Sequence, residues 1–586
     1  MKRFFFVFFI LLFPIAFVKA DVIYLDPVPN SQYVSIFNSI IIGLDNSINE
    51  NSLNTLIINV SGSKSGLHNG DLKLSSDNKK ILFSPAVPFH LNEIVTINIS
   101  SSNSTIKYNS VNTFSYSFTT ESRRNSWNSD KTMRNELGEY FRAPFNLDQT
   151  DPPQLTVTIS NNPTPGKIFV APFAPEPSYL LIAENNGDLY HDTRLEFQGY
   201  DYKKQSDGTL TYYESRKDKF YQTNVNYQII DSFACGNGYT TDLHELVILP
   251  NKHALLMSYD PQTVDMSQIV AGGDTAAIVV GLIIQELDAN KNVVFQWRSW
   301  DHFQITDVTN TDLTAQTIDY VHGNAIHMDN DGNLLISSRN MDEITKIDRT
   351  KGSILWRLGG VNNQFTFIND PIKFSRQHNI RRIDNGNITL FDNGNYHSPS
   401  FSRAVEYTLD EVNHTVTLVW EYRNTPPIYA FAMGSVQRLE NGNTFIGWGY
   451  TGTTLSEVTP GGQVALEMKL SNGYLSYRAF KFDWDSTVTS ITNSGNNSPD
   501  SYSLEQNYPN PFNPSTRISF SLPKTGNVTL KVYDIMGREV AELVNSQLLA
   551  GNHEINFSPN NLSSGIYIYR LEADNFSTSK KMILMK

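Results

Sequence analysis

A single cysteine, Cys235, in a chain of 586 residues excludes an intramolecular disulfide. Stability therefore has to come from buried core, and the lone thiol reads as a packed small side chain rather than a nucleophile. Charge is sparse at 18%, and positive charge is the scarcer sign: 46 Lys and Arg against 59 Asp and Glu give a formal net charge of −13. That balance argues against nucleic acid as a partner. After residue 20 no apolar run is long enough to cross a bilayer, and the longest, residues 276–284, reads as a buried strand. Convincing helical patterns are few. The chain also lacks a Gly-x-Ser-x-Gly elbow, a phosphate loop and a His-Glu-x-x-His pair, so serine-hydrolase, nucleotide-dependent and zincin chemistry lose their usual support.

Aromatic residues, by contrast, reach 12%, with 28 Tyr and 34 Phe, and Asn-Gly and Asp-Gly turns recur throughout. That composition predicts an all-β protein. Its length exceeds what one core usually serves, so several domains are expected. Residues 1–20 combine a basic start at Lys2 and Arg3, an apolar stretch, and small Val18 and Ala20 before the expected cut, which reads as a cleavable secretory signal. Its removal takes away three positive charges and no negative one, moving the formal charge from −13 to −16. Residues 21–120 alternate short β-rich runs with polar turns, as in a small Ig-like β-sandwich, and carry no cluster of titratable groups; a spacer role is expected. Residues 121–152 read as linker, 153–484 as the main domain, 485–502 as a second polar linker and 503–586 as a compact β-rich tail.

Within 153–484 the chain repeats itself. Turns at Asn251-Lys252-His253, Gly332-Asn333, Gly386-Asn387 and Gly442-Asn443 each lead into an apolar run, followed by two more. Three of the copies close at Trp297, Trp356 and Trp420. The last three turns lie 54 and 56 residues apart, the length of a four-stranded blade with a loop. Such blades close into a β-propeller, and residues 167–184, 187–200 and 208–214 supply the remainder, giving six blades as the expectation.

Residues 321–360, VHGNAIHMDNDGNLLISSRNMDEITKIDRTKGSILWRLGG, are the densest polar stretch. Their Asp329 to Asn333 core predicts a hairpin turn; an EF-hand loop is excluded because Gly332 is the fourth residue from Asp329, not the sixth. Counting back nine residues from His253, Asn333 and Asn387 puts His244, Asn324 and His378 at one equivalent position in three repeats; the same count from Asn443 gives Gly434 in the fourth, where open space is expected. His322 lies two residues before Asn324 and so shares its face if the segment is a strand. Inner strands line a propeller's channel, so these groups should converge near one mouth. Three readings stand at this point: separate hydrogen-bonded polar residues, a water-filled polar channel, or a site. Three histidines can hold zinc, but Arg339 beside them suits an anionic ligand better, unless it pairs with an acid such as Asp342. His253, His302, His327, His397 and His414 fall in or near turns and loops and are weaker candidates.

The run from HELVILPNKH through the stretch above to RQHNI, TLFDNGN, SRAVEYTLDE and WEYR resembles the bacterial arylsulfate sulfotransferases over roughly residues 160–480. The resemblance implies a six-bladed propeller, often behind a small β-domain, that moves a sulfuryl group from a phenolic sulfate to a phenol without a nucleotide sulfate donor; no metal or other cofactor is expected. It places the nucleophile on His378 and sulfate-binding and acid/base roles on His244, His322, Asn324 and Arg339. The tail resembles the C-terminal sorting domain of the type IX secretion pathway through NYPNPFNPSTRISFSLP, VYDIMGREV, LSSGIYIYRL and its basic end. That resemblance implies export through the periplasm by the type IX machinery, with the tail cleaved or exchanged for a surface anchor. Better-known members of the sulfotransferase family often carry paired cysteines, which are absent here. A non-catalytic surface propeller that binds a ligand or glycan, and an aryl sulfate hydrolase, are the alternative functions.

Overall fold

The computed structural model describes residues 20–101, 106–127, 151–173, 177–471, 473–484 and most of 501–585. The proposed signal, apart from Ala20, and most of both proposed linkers lie outside the described residues. The chain divides into two compact units, Met1–Ser486 and Thr487–Lys586.

Among the described residues of the first unit, strand dominates and helix is confined to a few short turns. Its amino-terminal part forms two sheets, one built on Ala20–Asp26, Ile40–Leu44 and Lys80–Pro85, the other on Leu56–Gly62, Ile94–Ser101 and Thr113–Thr119. Alternating residues of these strands, among them Ile40, Val60, Ile81, Val95, Ile97 and Phe118, are buried in a shared core. The expected spacer is in fact docked on the main domain. The Tyr24 hydroxyl donates to the Gln296 carbonyl (2.7 Å), the Gln296 amide reaches Asp26 and Asn38, and Arg298 donates to the carbonyls of Gln32 and Tyr33. Part of the expected linker packs as well: Arg124 donates to the Gly238 carbonyl and Trp127 stands edge-on to Tyr259.

Among the described residues, six sheets of four or five strands follow between Leu155 and Phe482, an all-β, propeller-like architecture. Both ends of the segment close the ring. Leu475–Phe482 completes the first sheet beside Lys167–Phe173, and Leu155–Ser160 completes the last beside Val464–Leu470. The repeated turns share one backbone pattern. At Asp329 to Asn333 the Asp329 N–H donates to the Asn333 carbonyl and the Gly332 N–H to the Asp329 carbonyl, and the same pair of bonds recurs at Ile383 to Asn387 and Leu439 to Asn443. Gly332, Gly386 and Gly442 all have φ between 81° and 88°, a region glycine enters without steric cost. The Asp329 stretch is thus the expected hairpin, and its carboxylate is occupied by Arg382 and Lys346.

Among its described residues the second unit holds a three-stranded and a four-stranded sheet around Ile518, Phe520, Leu530, Val532, Tyr569 and Leu571. Its Asn-Pro-Phe motif has a structural explanation. Buried Asn507 donates to Thr516 and the Pro509 carbonyl, Asn510 accepts from the Ile583 N–H, and Phe512 is buried.

Candidate active site

His378 opens the inner strand His378–Arg382 and is buried. Its Nδ1 lies 2.7 Å from Asn393 Oδ1 and 3.1 Å from the Arg376 carbonyl oxygen. The Asn393 amide nitrogen donates to the carbonyls of Ala430 and Met433, so its oxygen faces the ring. Two acceptors at Nδ1 place the proton there and leave the lone pair on Nε2. That atom meets only a long contact, 3.3 Å, from the Met433 N–H. Burial pushes the imidazole well below its ordinary value, Arg339 pushes it further, and His322 and His244 add to the effect against the opposing Asn393 bond. His378 is therefore a neutral base at neutral pH, its Nε2 lone pair met by that long Met433 contact.

The same influences show that the sequence-predicted residues come together. His244 sits just ahead of Leu246–Ile248, with Nδ1 2.5 Å from Asp242 Oδ1. His322 Nδ1 lies 2.7 Å from Asp319 Oδ2. The two rings are nearly perpendicular with centroids 5.4 Å apart; Tyr259 packs against both, and Tyr477 packs against His244. Arg339, buried in the short turn after Leu334–Ser338, takes the His322 carbonyl on its own N–H and directs its guanidinium at Asn340 Oδ1 and the Phe431 carbonyl. Asp342, the acid considered as its partner, accepts from the Arg376 N–H and from Thr309.

Two expectations need correction. His322 is not in a strand: Gly323–Met328 starts one residue later, and His322 has φ of 50°. The Asp319 carboxylate, which accepts from both its backbone and its ring, turns the residue toward the site, not strand alternation. Nor is there open space at Gly434. A Cβ there would meet the Phe391 ring at 2.4 Å and φ is 105°, so the glycine is required by close packing. Asn324 holds the equivalent register, but its amide nitrogen donates to the Gln377 carbonyl at 2.7 Å and so clamps the backbone just before His378. Its buried Oδ1 has no hydrogen-bond partner among the described residues.

Sequence reasoning missed the groups that hold these histidines. Asp242 and Asp319 stand two and three residues before their histidines, a spacing visible in the sequence, and Asn393 lies inside TLFDNGN. It also missed a buried ion cluster that links the inner strands. Glu245, next to His244, accepts from Arg381 (2.7 Å), Arg478 (3.0 Å) and Lys203, while Asp201 binds Arg478 and Lys203. Burial pushes Glu245 up, but these three cations outweigh it and hold the carboxyl far below its usual range. Arg478 also donates to the Asn324 carbonyl at 2.6 Å. A cavity of about 700 Å³ opens at the turn end of the inner strands, lined in part by Lys203, Glu245, Ile326 and Arg381. Cys235 packs as expected, its thiol pushed up to about 12 by burial. No group of three or more His, Cys, Asp or Glu among the described residues is arranged to hold a metal ion.

The profile of the family described as Arylsulfotransferase (ASST) matches residues 156–478, and that of the Secretion system C-terminal sorting domain matches residues 506–585. The sorting domain marks the chain for export, to the medium or the cell surface, and implies the type IX secretion machinery as a partner. None of the curated proteins compared matches the chain. Among solved structures, a protein of unknown function from Bacteroides caccae is 15% identical, with 54% of this chain and 99% of that one covered and a TM-score of 0.36. Virginiamycin B lyase from Staphylococcus aureus is 11% identical over 54% of this chain and 88% of that one, with a TM-score of 0.29. A luciferin-regenerating enzyme is 9% identical over 57% and 100%, with a TM-score of 0.30.

Proposed function

The chain belongs to the arylsulfotransferase family, and on that premise we propose that it is an exported aryl-sulfate sulfotransferase that transfers a sulfuryl group between phenols through a sulfohistidine at His378. One observation carries the reading: a buried, neutral imidazole whose Nδ1 is held by Asn393 Oδ1, whose Nε2 is met only by the Met433 N–H at 3.3 Å, and whose charge balance is set by nearby Arg339, His322 and His244. A neutral imidazole is a competent nucleophile, and a fixed guanidinium with further N–H donors stabilises an anionic group in transfer.

In the first half-reaction the Nε2 lone pair forms the N–S bond as the S–O bond to the aryl group breaks. The departing aryl oxide leaves with the electron pair and takes a proton from His244 or His322, each supported by its own carboxylate. In the second half an acceptor phenol attacks sulfur, returns its proton to that histidine and sends the N–S electrons back to Nε2. No nucleotide donor enters. Phenolic sulfates and phenols are accordingly the small-molecule partners.

The test is intact-protein and peptide mass spectrometry after quenching with 4-nitrophenyl sulfate. A sulfuryl adduct on the peptide carrying His378 is expected, absent in a folded His378→Ala variant whose transfer rate falls by about three orders of magnitude or more. Turnover unaffected by that substitution would end the proposal. Comparing free sulfate release with and without added phenol separates transfer from hydrolysis.

A further inference from the structure

Three histidines meet at this site, and at the same ring atom two are supported by a carboxylate and the third by an amide. Nδ1 of His244 faces the Asp242 carboxylate at 2.5 Å, and Nδ1 of His322 faces the Asp319 carboxylate at 2.7 Å. Nδ1 of His378 faces the amide oxygen of Asn393, also at 2.7 Å. The amide is held in that orientation from its other end, where its nitrogen donates to the carbonyls of Ala430 (2.8 Å) and Met433 (3.0 Å). Asn393 is completely buried, and so is its neighbour Asp392, which is locked to Arg403 and to the N–H groups of Ser375 and Gly394. The chain thus had a carboxylate one position away and committed it elsewhere.

We propose that Asn393 is a positioning residue whose lack of charge makes His378 the nucleophile and keeps its sulfurylated form short-lived, while Asp242 and Asp319 make His244 and His322 the proton carriers. The inference rests on the sulfohistidine reading above and adds a division of labour to it. Sulfuryl transfer to Nε2 gives a ring that bears the sulfuryl group on one nitrogen and a proton on the other, a zwitterion whose ring is cationic. When sulfur moves to the phenol, a neutral imidazole departs. A carboxylate at position 393 would pair with that cation or remove the Nδ1 proton. In the first case the intermediate is stabilised; in the second an imidazolate has to leave, and it is a much poorer leaving group. An amide accepts the hydrogen bond and does neither. At His244 and His322 the logic reverses, because a carboxylate stabilises an imidazolium, the species that protonates the departing aryl oxide. The charged and titratable groups facing His378 are Arg339, His322 and His244, so position 393 is where a carboxylate would alter its charge balance most directly.

The experiment follows sulfuryl adduct and free nitrophenol by rapid quench in the full chain, for wild type, Asn393→Asp, Asp242→Asn and Asp319→Asn. Asn393→Asp should accumulate the adduct during turnover with excess phenol, its decay slowed at least about tenfold, and its first half-reaction should gain an acid limb near neutral pH that wild type lacks. A merely structural defect would slow both halves without moving the pH profile. Asp242→Asn or Asp319→Asn should lose more rate on aryl sulfates with poorly acidic phenols than on 4-nitrophenyl sulfate. If Asn393→Asp does not fold, these two variants decide alone. A folded Asn393→Asp that discharges its adduct as fast as wild type overturns the inference, as does unchanged leaving-group dependence in both Asp variants. Absence of any adduct in wild type would instead overturn the sulfohistidine reading.

Discussion

Arg339 illustrates how much of the site is geometry rather than charge. Its planar fork reaches both Asn340 and the Phe431 carbonyl while its main chain ties to His322, an arrangement that a lysine ammonium cannot reproduce. Arg339→Lys keeps the positive charge but should lower kcat/KM by about 100-fold, on the order of 3 kcal/mol of transition-state stabilisation, in steady-state assays with an aryl sulfate. An equal rate in the variant would mean that charge alone suffices. His378 makes a pH statement at the same scale. Burial and Arg339 hold its folded value below the ordinary 6.5, so the neutral imidazole persists as pH falls through that value. The burst of nitrophenol from 4-nitrophenyl sulfate, whose leaving group needs little proton assistance, should therefore show no acid limb around pH 6.5. The unfolded chain does take up the proton there, so this residue lowers stability as pH falls below that point.

At the scale of elements, the docking of the amino-terminal sheets on the propeller is itself titratable. Asp26 is buried at that contact, and burial pushes its carboxyl up to about 7 despite the hydrogen bond from Asn38 and the nearby Arg298. Between the unfolded value near 3.9 and about 7 the folded state holds a proton that the unfolded chain has lost. Raising the pH through that window therefore weakens folding, by about 1.4 kcal/mol per unit from this group. Asp26→Asn should abolish that share: the difference in Tm between mutant and wild type should grow in the mutant's favour from about pH 5 to about pH 8. A difference independent of pH would show that Asp26 is ionised throughout.

On the scale of the whole molecule, Glu245, the residue after His244, joins inner strands from separate sheets through Arg381, Arg478 and Lys203. Removing one partner from a buried cluster leaves its opponents uncompensated. Glu245→Gln should cost about 3–5 kcal/mol in denaturant unfolding of the first unit. A loss below about 1 kcal/mol would mean that the cluster relaxes around the change. The sorting domain forms a separate compact unit with its own core, so truncation after Ser486 should leave the Tm and the sulfuryl adduct of the first unit unchanged.

Much of this molecule follows from its sequence alone. The turn glycines, the strand-length apolar runs and the repeat spacing depend on local sterics and burial, which a chain displays residue by residue, and they led to an all-β repeat architecture and to His244, Asn324 and His378 in one register. Tertiary structure decided what those residues do. Asn324 clamps the Gln377 carbonyl; His322 reaches the site through Asp319 and a left-handed backbone; Gly434 makes room for Phe391. The partners that hold these groups, Asn393 for His378 and Glu245 for three cations, lie between 15 and 233 residues away along the chain. Nothing local marks such pairs, because hydrogen bonds and charges act through a few ångströms of space that only the closed ring of sheets brings together.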